Sequence, residues 1–375
     1  MSRSPHSYLA VAVLGMSFTT LASCSKGGWQ PVGRRGIATM PPIGGATHPL
    51  VVSGGIPYVT FVDAANGDGI SVKRFASGSW DYLGDAGFSG PECNSPSLAV
   101  EGDTPYVAYA DSALGNKLTV MRFDGASWQP VGARGFSTGT ALNTSLVADN
   151  GIVYAAYADW LPGTGCGVTV KRFAGGEWET VGTEGFGGCS EYGLEIDVSL
   201  GQLYLAYAPT SSSGQPRVTV MQYDGTVWQT VGAAGFSSDN PLYLAFDVDQ
   251  GIPFVAYQDR AAGNKATAMK YEGAWDVVGT AGFNPGHFAQ GVSLFVDAGV
   301  PYVASNGGSM GGFANVMRFN GATWESVGDE SISQRPVVNT SVFVYEGTPY
   351  LAFGEWLPDS NRGTSLTVMR YDASR

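Results

Sequence analysis

Five carboxylates recur at one place in a repeating pattern. Asp63, Asp111, Asp159, Asp259 and Glu355 each follow by two residues a run such as PYVTF (57–61) or PYVAY (105–109), while Pro209 and Gly307 break the series. Carboxylates gathered from successive repeats would form a partial acidic ring, suited to a cation or to sugar hydroxyls. The simpler chemistry is local, because Asp at a strand exit accepts the backbone N–H groups of the turn that follows. Two of the five have an aromatic neighbour: Trp160 lies in DWLP and Trp356 in EWLP. A tryptophan beside an acid is a sugar platform, the indole stacking on a pyranose while the carboxylate accepts hydroxyls. The alternative is that each indole folds back over its own scaffold. Both stretches belong to repeats that begin with the triplet Asn-Thr-Ser, at Asn143 and Asn339, which predicts a shared origin or role.

Other chemistry is poorly supplied. No P-loop or HExxH occurs, and no GxSxG or GxGxxG lies in a strand–helix setting. Arg74, Arg122, Arg172, Arg318 and Arg370 precede an aromatic residue in one motif, with Gln222 and Lys270 at the same place in two repeats. So regular a position predicts pairing between repeats rather than a site. With no CxxC pair, and only His48 and His287 beyond the first 23 residues, no metal and no cofactor are expected. Cys166 and Cys189 fall in connections expected on the same face, which predicts a disulfide between them, with Cys93 left over.

These residues are positioned by a repeat. Trp-x-x-Val-Gly occurs seven times, with Leu83 for Val in the second copy. Its tryptophans, Trp29, Trp80, Trp128, Trp178, Trp228, Trp275 and Trp324, are 51, 48, 50, 50, 47 and 49 residues apart. A period of this size marks a repeat architecture. Each unit holds four short runs rich in Val, Tyr, Phe, Thr and Trp, bounded by Gly, Asp, Asn and Pro, which read as strands. Seven versions of the second run (PYVTF to PYLAF, 349–353) and of the third (SVKRF, 71–75, to TVMRY, 367–371) accompany the tryptophans. No stretch shows a helical period, so four antiparallel strands per unit predict an all-β, seven-bladed β-propeller. GGWQPVG (27–33) is a fourth strand without its first three, and TVMRYD (367–372) is a third without its fourth. The closing blade is therefore expected to be split between the two ends of the chain, which removes exposed sheet edges.

The first 23 residues read as a signal peptide: Arg3, then the apolar stretch YLAVAVLGMSF (8–18), too short to span a bilayer. The remaining 352 of 375 residues, 24–375, form one domain of about 50 residues per blade. LASC (21–24) resembles the bacterial lipobox, which implies lipidation of Cys24, and Ser25 in place of Asp resembles outer-membrane sorting. The alternative is ordinary cleavage after Ala22 and secretion. The net charge of −12 becomes −13 once Arg3 is lost, and argues against nucleic acid or anionic lipid as a partner. The membrane is thus expected to be reached only through a lipid anchor.

The repeat FxGxxWxxVGxxGF…GxPYVAY…VTVMRF, over residues 27 to 372, resembles bacterial propeller lipoproteins and, more distantly, lectin propellers of the tachylectin and fucose-lectin type. The FDGxxW turn is similar to the Asp-box of sialidases, but is one residue shorter and lacks the flanking Ser or Thr. No lectin contact residue can be placed here position by position. The resemblance implies a monomeric, non-enzymatic binding protein, with a glycan as first ligand class and an envelope protein as second; a glycan-active enzyme of unrecognised type is the third reading. Long, variable connections on one face (DAANGDGIS, DWLPGTGCGVT, PTSSSGQPRVT, NGGSMGGFAN and EWLPDSNRGTSLT) are where binding is expected to concentrate.

Overall fold

A computed structural model describes residues 27–41, 50–190, 193–209, 215–286, 288–307, 312–358 and 363–374. The leader, Cys24, His48 and His287 lie outside the described residues. Seven antiparallel sheets form in chain order, six of them built from four consecutive strands. Blade 3 is representative: Thr140–Asp149, Ile152–Leu161, Gly165–Ala174 and Glu177–Thr180, from the central channel to the rim. Blade 7 takes Val337–Tyr345, Thr348–Trp356 and Thr364–Asp372 from the C-terminal end and Gly28–Pro31 from the N-terminal end. Trp29 lies opposite Tyr371 and Gln30 opposite Arg370, so the ring closes as the two chain ends require. A short strand, Ala38–Met40, then pairs further along the same edge, Met40 opposite Thr364.

The repeated motif is what joins the blades. Each indole N–H donates to a carbonyl of the preceding blade's motif: Trp128 to Leu83 at 2.7 Å, Trp178 to Val131 at 2.7 Å, and around the closure Trp29 to Val327 at 2.7 Å and Trp80 to Val32 at 2.8 Å. Trp228, Trp275 and Trp324 repeat the bond. The phenylalanine that ends the motif stacks on the next blade's tryptophan, as Phe136 on Trp178 at 4.2 Å and Phe283 on Trp324 at 3.8 Å between ring centroids. Such pairs add about 0.5–1.5 kcal/mol beyond the area they bury. The motif's glycine has two reasons to be there. Gly132 sits at φ 69°, and a Cβ would lie 2.8 Å from Phe173 and 3.1 Å from Trp178.

Nearer the channel, side chains of one inner strand hold the backbone of the next. Ser97 accepts the N–H of Leu146, Ser145 that of Ile196, and Ser293 that of Val342, at 3.0–3.1 Å. Glu195 takes the same part toward Phe246 at 2.8 Å. The apolar core is thus a set of wedges between sheets. One joins Leu50, Val59 and Phe61 of blade 1 to Tyr350, Ala352 and Val368 of blade 7, across the closure.

The arginine series needs a correction. Where members of the series form ion pairs, they do so across strands inside a blade and not between blades: Arg172 meets Glu179 at 3.0 Å and Arg318 meets Glu325 at 2.7 Å. The register puts the third-strand residue directly opposite an outer-strand residue, and in blades 3 and 6 that residue is Glu.

Candidate functional site

Connections between second and third strands, and from each outer strand to the next blade, share one face of the propeller. On this face the acids take the local role rather than forming a ring: they are turned into the wall. Asp63, Asp111, Asp159, Asp259 and Glu355 are all buried, between 0% and 7% exposed. The reason is a repeated relay. In blade 2, Thr119 Oγ1 donates to Asp111 at 3.0 Å and accepts the Gly135 N–H at 2.9 Å, while Arg134 Nη2 reaches the same carboxylate at 2.6 Å. Ser71, Thr169 and Thr267 link Asp63, Asp159 and Asp259 to the N–H groups of Gly87, Gly185 and Gly282 in the same way. Asp63 also accepts from Ala65 N–H at 3.1 Å and Tyr82 OH at 2.9 Å, and Asp259 from Ser238 Oγ at 2.6 Å. Glu355 accepts the Gln334 N–H at 2.7 Å and lies 3.5 Å from Arg35. Each acid ties the end of a hairpin to the segment leaving the rim strand. Burial holds the Asp159 carboxyl above the usual carboxylate range, against the hydrogen bonds from Thr169 and Gly139.

The tryptophans are placed differently from the acids beside them. DWLPGTGCGVT is not an open loop: strands run to Leu161 and resume at Gly165, with Trp160 opposite Thr140 on one side and Cys166 on the other. Successive strand residues point to opposite faces. Trp160, 49% exposed, therefore faces away from the relay that holds Asp159. Trp356 ends its strand in the same manner, opposite Thr364, and is half-buried. Neither indole shares a ligand surface with its neighbouring acid, and the two hairpins are three blades apart around the ring. Cys166 is bonded to Cys189 with a Cα–Cα distance of 4.8 Å, fastening the tip of the Trp160 hairpin to the connection toward blade 4. Cys166 thus belongs to the third strand rather than to a loop. Cys93 is a buried free thiol. Among the described residues, no three His, Cys, Asp or Glu side chains are grouped so as to hold a metal ion.

The Asn-Thr-Ser triplets have a structural task. Ser145 staples blade 4, while the hydroxyls of Thr144 and Thr340 donate to the carbonyls of Ser95 and Gly291 in the preceding blades. Asn143 and Asn339 sit in bulges of the inner strands with φ 46° and 47°. Seeing the same triplet twice marks the position. The bulge itself, one extra residue in a strand, leaves no separate mark in the sequence.

No protein-family model matches the chain, and no curated protein matches its sequence. Solved structures share the fold. A sialidase from Trypanosoma rangeli aligns with a TM-score of 0.51 at 13% identity over 92% of this chain and 59% of its own. The same sialidase with 2,3-difluorosialic acid, as a covalent intermediate, gives 0.51 at 12% identity over the same shares. The chain therefore spans 59% of the length of that enzyme. The polysaccharide lyase Uly1 aligns with a TM-score of 0.52 at 10% identity over 92% of this chain and 91% of its own. At these identities the likeness is one of fold.

Proposed function

We propose that this chain is a non-enzymatic binding propeller of a bacterial cell envelope, taking a glycan on its long-hairpin face. The observation that carries the reading is Trp160, a large indole open to solvent at the tip of a hairpin that a disulfide braces. A braced aromatic surface loses little conformational entropy when it binds. The acids argue for binding over turnover. Glycosidic cleavage generally uses two carboxyl groups roughly 5–9.5 Å apart on either side of the sugar, both open to it. Here the five candidate carboxylates are spent on the scaffold. The LASC tetrapeptide supports lipidation at Cys24 and an outer-membrane location, and among the described residues no helix is long and apolar enough to cross a membrane. Fatty-acid labelling lost in Cys24→Ala, with release from the membrane fraction, checks that part. A glycan array tests the central reading: binding of an oligosaccharide by the parent and its weakening in Trp160→Ala are expected. A blank array, with capture of an envelope protein through the same indole, would replace the glycan by a protein partner, and consumption of an array sugar would make the chain an enzyme.

A further inference from the structure

The long-hairpin face holds a cavity that the tryptophan argument does not use. It has a volume of about 550 Å³ and is lined by the inner strands of blades 7, 2 and 3 at once, so it lies across the mouth of the central channel. Sites for small molecules span roughly 300–1,000 Å³. Met40, Val62, Leu142 and Val338 form apolar walls above the buried rings of Phe61 and Phe353.

Its polar groups are presented by strained backbone. Bulges interrupt the inner strands of blades 2, 3 and 7, and Ser95, Asn143 and Asn339 adopt φ 51°, 46° and 47° there. All three line the cavity, with Asn94 beside them. Non-glycine residues in the left-handed region cost of order 1–3 kcal/mol each and persist where the surroundings hold them. Thr144, bonded to the Ser95 carbonyl, is one such restraint, and Asn143 Nδ2 donates to the Ser190 carbonyl at 2.9 Å. Asn143 thus lines the cavity with its amide nitrogen held by the scaffold. Asp68 and Glu92 add acceptors, and no Lys or Arg lines the cavity among the described residues. On the wall, Thr364 is wholly buried and its hydroxyl has no hydrogen-bond partner among the described residues. The described lining is therefore apolar on its sides, rich in acceptors and without a cation.

The two tryptophans extend from it. Leu142 lies opposite Ala158, two pairs from Thr140 opposite Trp160, so Leu142 and Trp160 share a side of the blade 3 sheet. Val338, opposite Gly354, shares a side of blade 7 with Trp356 in the same way.

We propose that the cavity receives one uncharged sugar residue of a glycan whose chain runs outward over Leu142 to Trp160, and that acidic sugars are excluded. This rests on the glycan reading above and names its subsite and ligand charge. A neutral sugar brings hydroxyl donors to the asparagine and carboxylate acceptors and an apolar face to Leu142 and Val338. A sialic or uronic acid would bring a carboxylate to acceptors whose described lining offers no cation.

The test uses the mature protein on an array carrying cello-, manno- and malto-oligosaccharides beside sialylated and uronate-bearing glycans. Calorimetry follows with the di- and tetrasaccharide of the series that binds. Leu142→Arg and Asn94→Arg, both at exposed positions, should weaken both lengths about tenfold or more with melting unchanged. Trp160→Ala should weaken the tetrasaccharide alone. Binding that Trp160→Ala removes and neither arginine variant touches would overturn the cavity and leave the glycan reading intact. Binding of acidic glycans that the arginine variants enhance would overturn the assigned charge. A blank array would overturn the glycan reading, and this inference with it. Should either arginine variant fail to fold, Leu142→Ala and Asn94→Ala replace it, and unchanged disaccharide affinity in both would overturn the site.

Discussion

The rim joints and the hairpin tips of this propeller contain the same residue types and do opposite things with them. At the rim, seven tryptophans in one motif make one bond each to the preceding blade, and Phe136, Phe236 and Phe283 stack on them almost face to face. At the tips, Trp160 and Trp356 belong to no such series, and Trp160 stands open to solvent. Carboxylates divide differently. A tip acid looks like a site by position, yet it is consumed by the relay that fastens the tip to the rim. What repeats in this molecule is mechanical, and what varies is available for binding.

Breaking a rim joint should have the largest effect. Removal of residues 27–33 takes away the last strand of blade 7, its bond to Val327, and the Val32 carbonyl that Trp80 needs. The loss should exceed that of any single truncation, read as a fall in melting temperature against removal of Ala373 to Arg375. Equal melting of the two deletions would contradict the closure. Next comes Trp178→Ala, which loses the Val131 bond and the Phe136 stack and should cost about 3–5 kcal/mol in denaturant unfolding. A cost under about 1 kcal/mol would mean the joints do not carry the ring.

The disulfide sits between the two regions. Cys166 and Cys189 are 23 residues apart, so replacing both with Ser should cost about 3 kcal/mol by chain entropy. The same change should loosen the Trp160 hairpin, and unreduced peptide mapping that finds both thiols alkylatable would refute the bridge.

One inner joint departs from the serine staples, and its pH dependence sharpens the contrast further. Asp247 of blade 5 bonds to the Val296 N–H at 2.5 Å and meets the Asp197 carboxyl of blade 4. Burial first, and then the charge of Asp197, push the Asp247 carboxyl well above the usual carboxylate range. Because its pKa is raised on folding, its contribution to stability is complete below the unfolded value of about 3.9 and is lost as pH rises through the folded one. Asp247→Asn keeps the shape of the protonated acid. It should melt higher than the parent at neutral pH and converge with it in acid, whereas equal melting at pH 7 would remove the strain assigned to this pair.

The legible part of the molecule was whatever the chain says seven times. Spacing located the tryptophans, the strands and the split blade, because a period survives without knowledge of contacts. The direction of the acids was not legible, since alternation fixes opposite faces for Asp159 and Trp160 but does not say which faces water. The extended hairpin of blade 3 was hidden by Pro162 and Gly163, which read as loop although strand pairing continues from Leu161 to Gly165. The arginines misled because a position repeated in register is equally a cross-strand and a cross-blade position until the sheet is seen. The cavity was the least visible, being assembled from single residues of blades that are distant in the chain.

The claim that rim and tip tryptophans divide stability from binding is tested most directly by measuring both quantities on Trp160→Ala and Trp178→Ala. Trp160→Ala should unfold within about 0.5 kcal/mol of the parent, as exposed substitutions do. Its glycan affinity should fall by the roughly 1–3 kcal/mol that one stacked ring contributes, by analogy with bases on aromatic platforms. Trp178→Ala, in conditions where it is folded, should bind as the parent does and unfold far more easily. A Trp160→Ala protein that is strongly destabilised, or that binds unchanged, would place this indole in the scaffold and contradict the division.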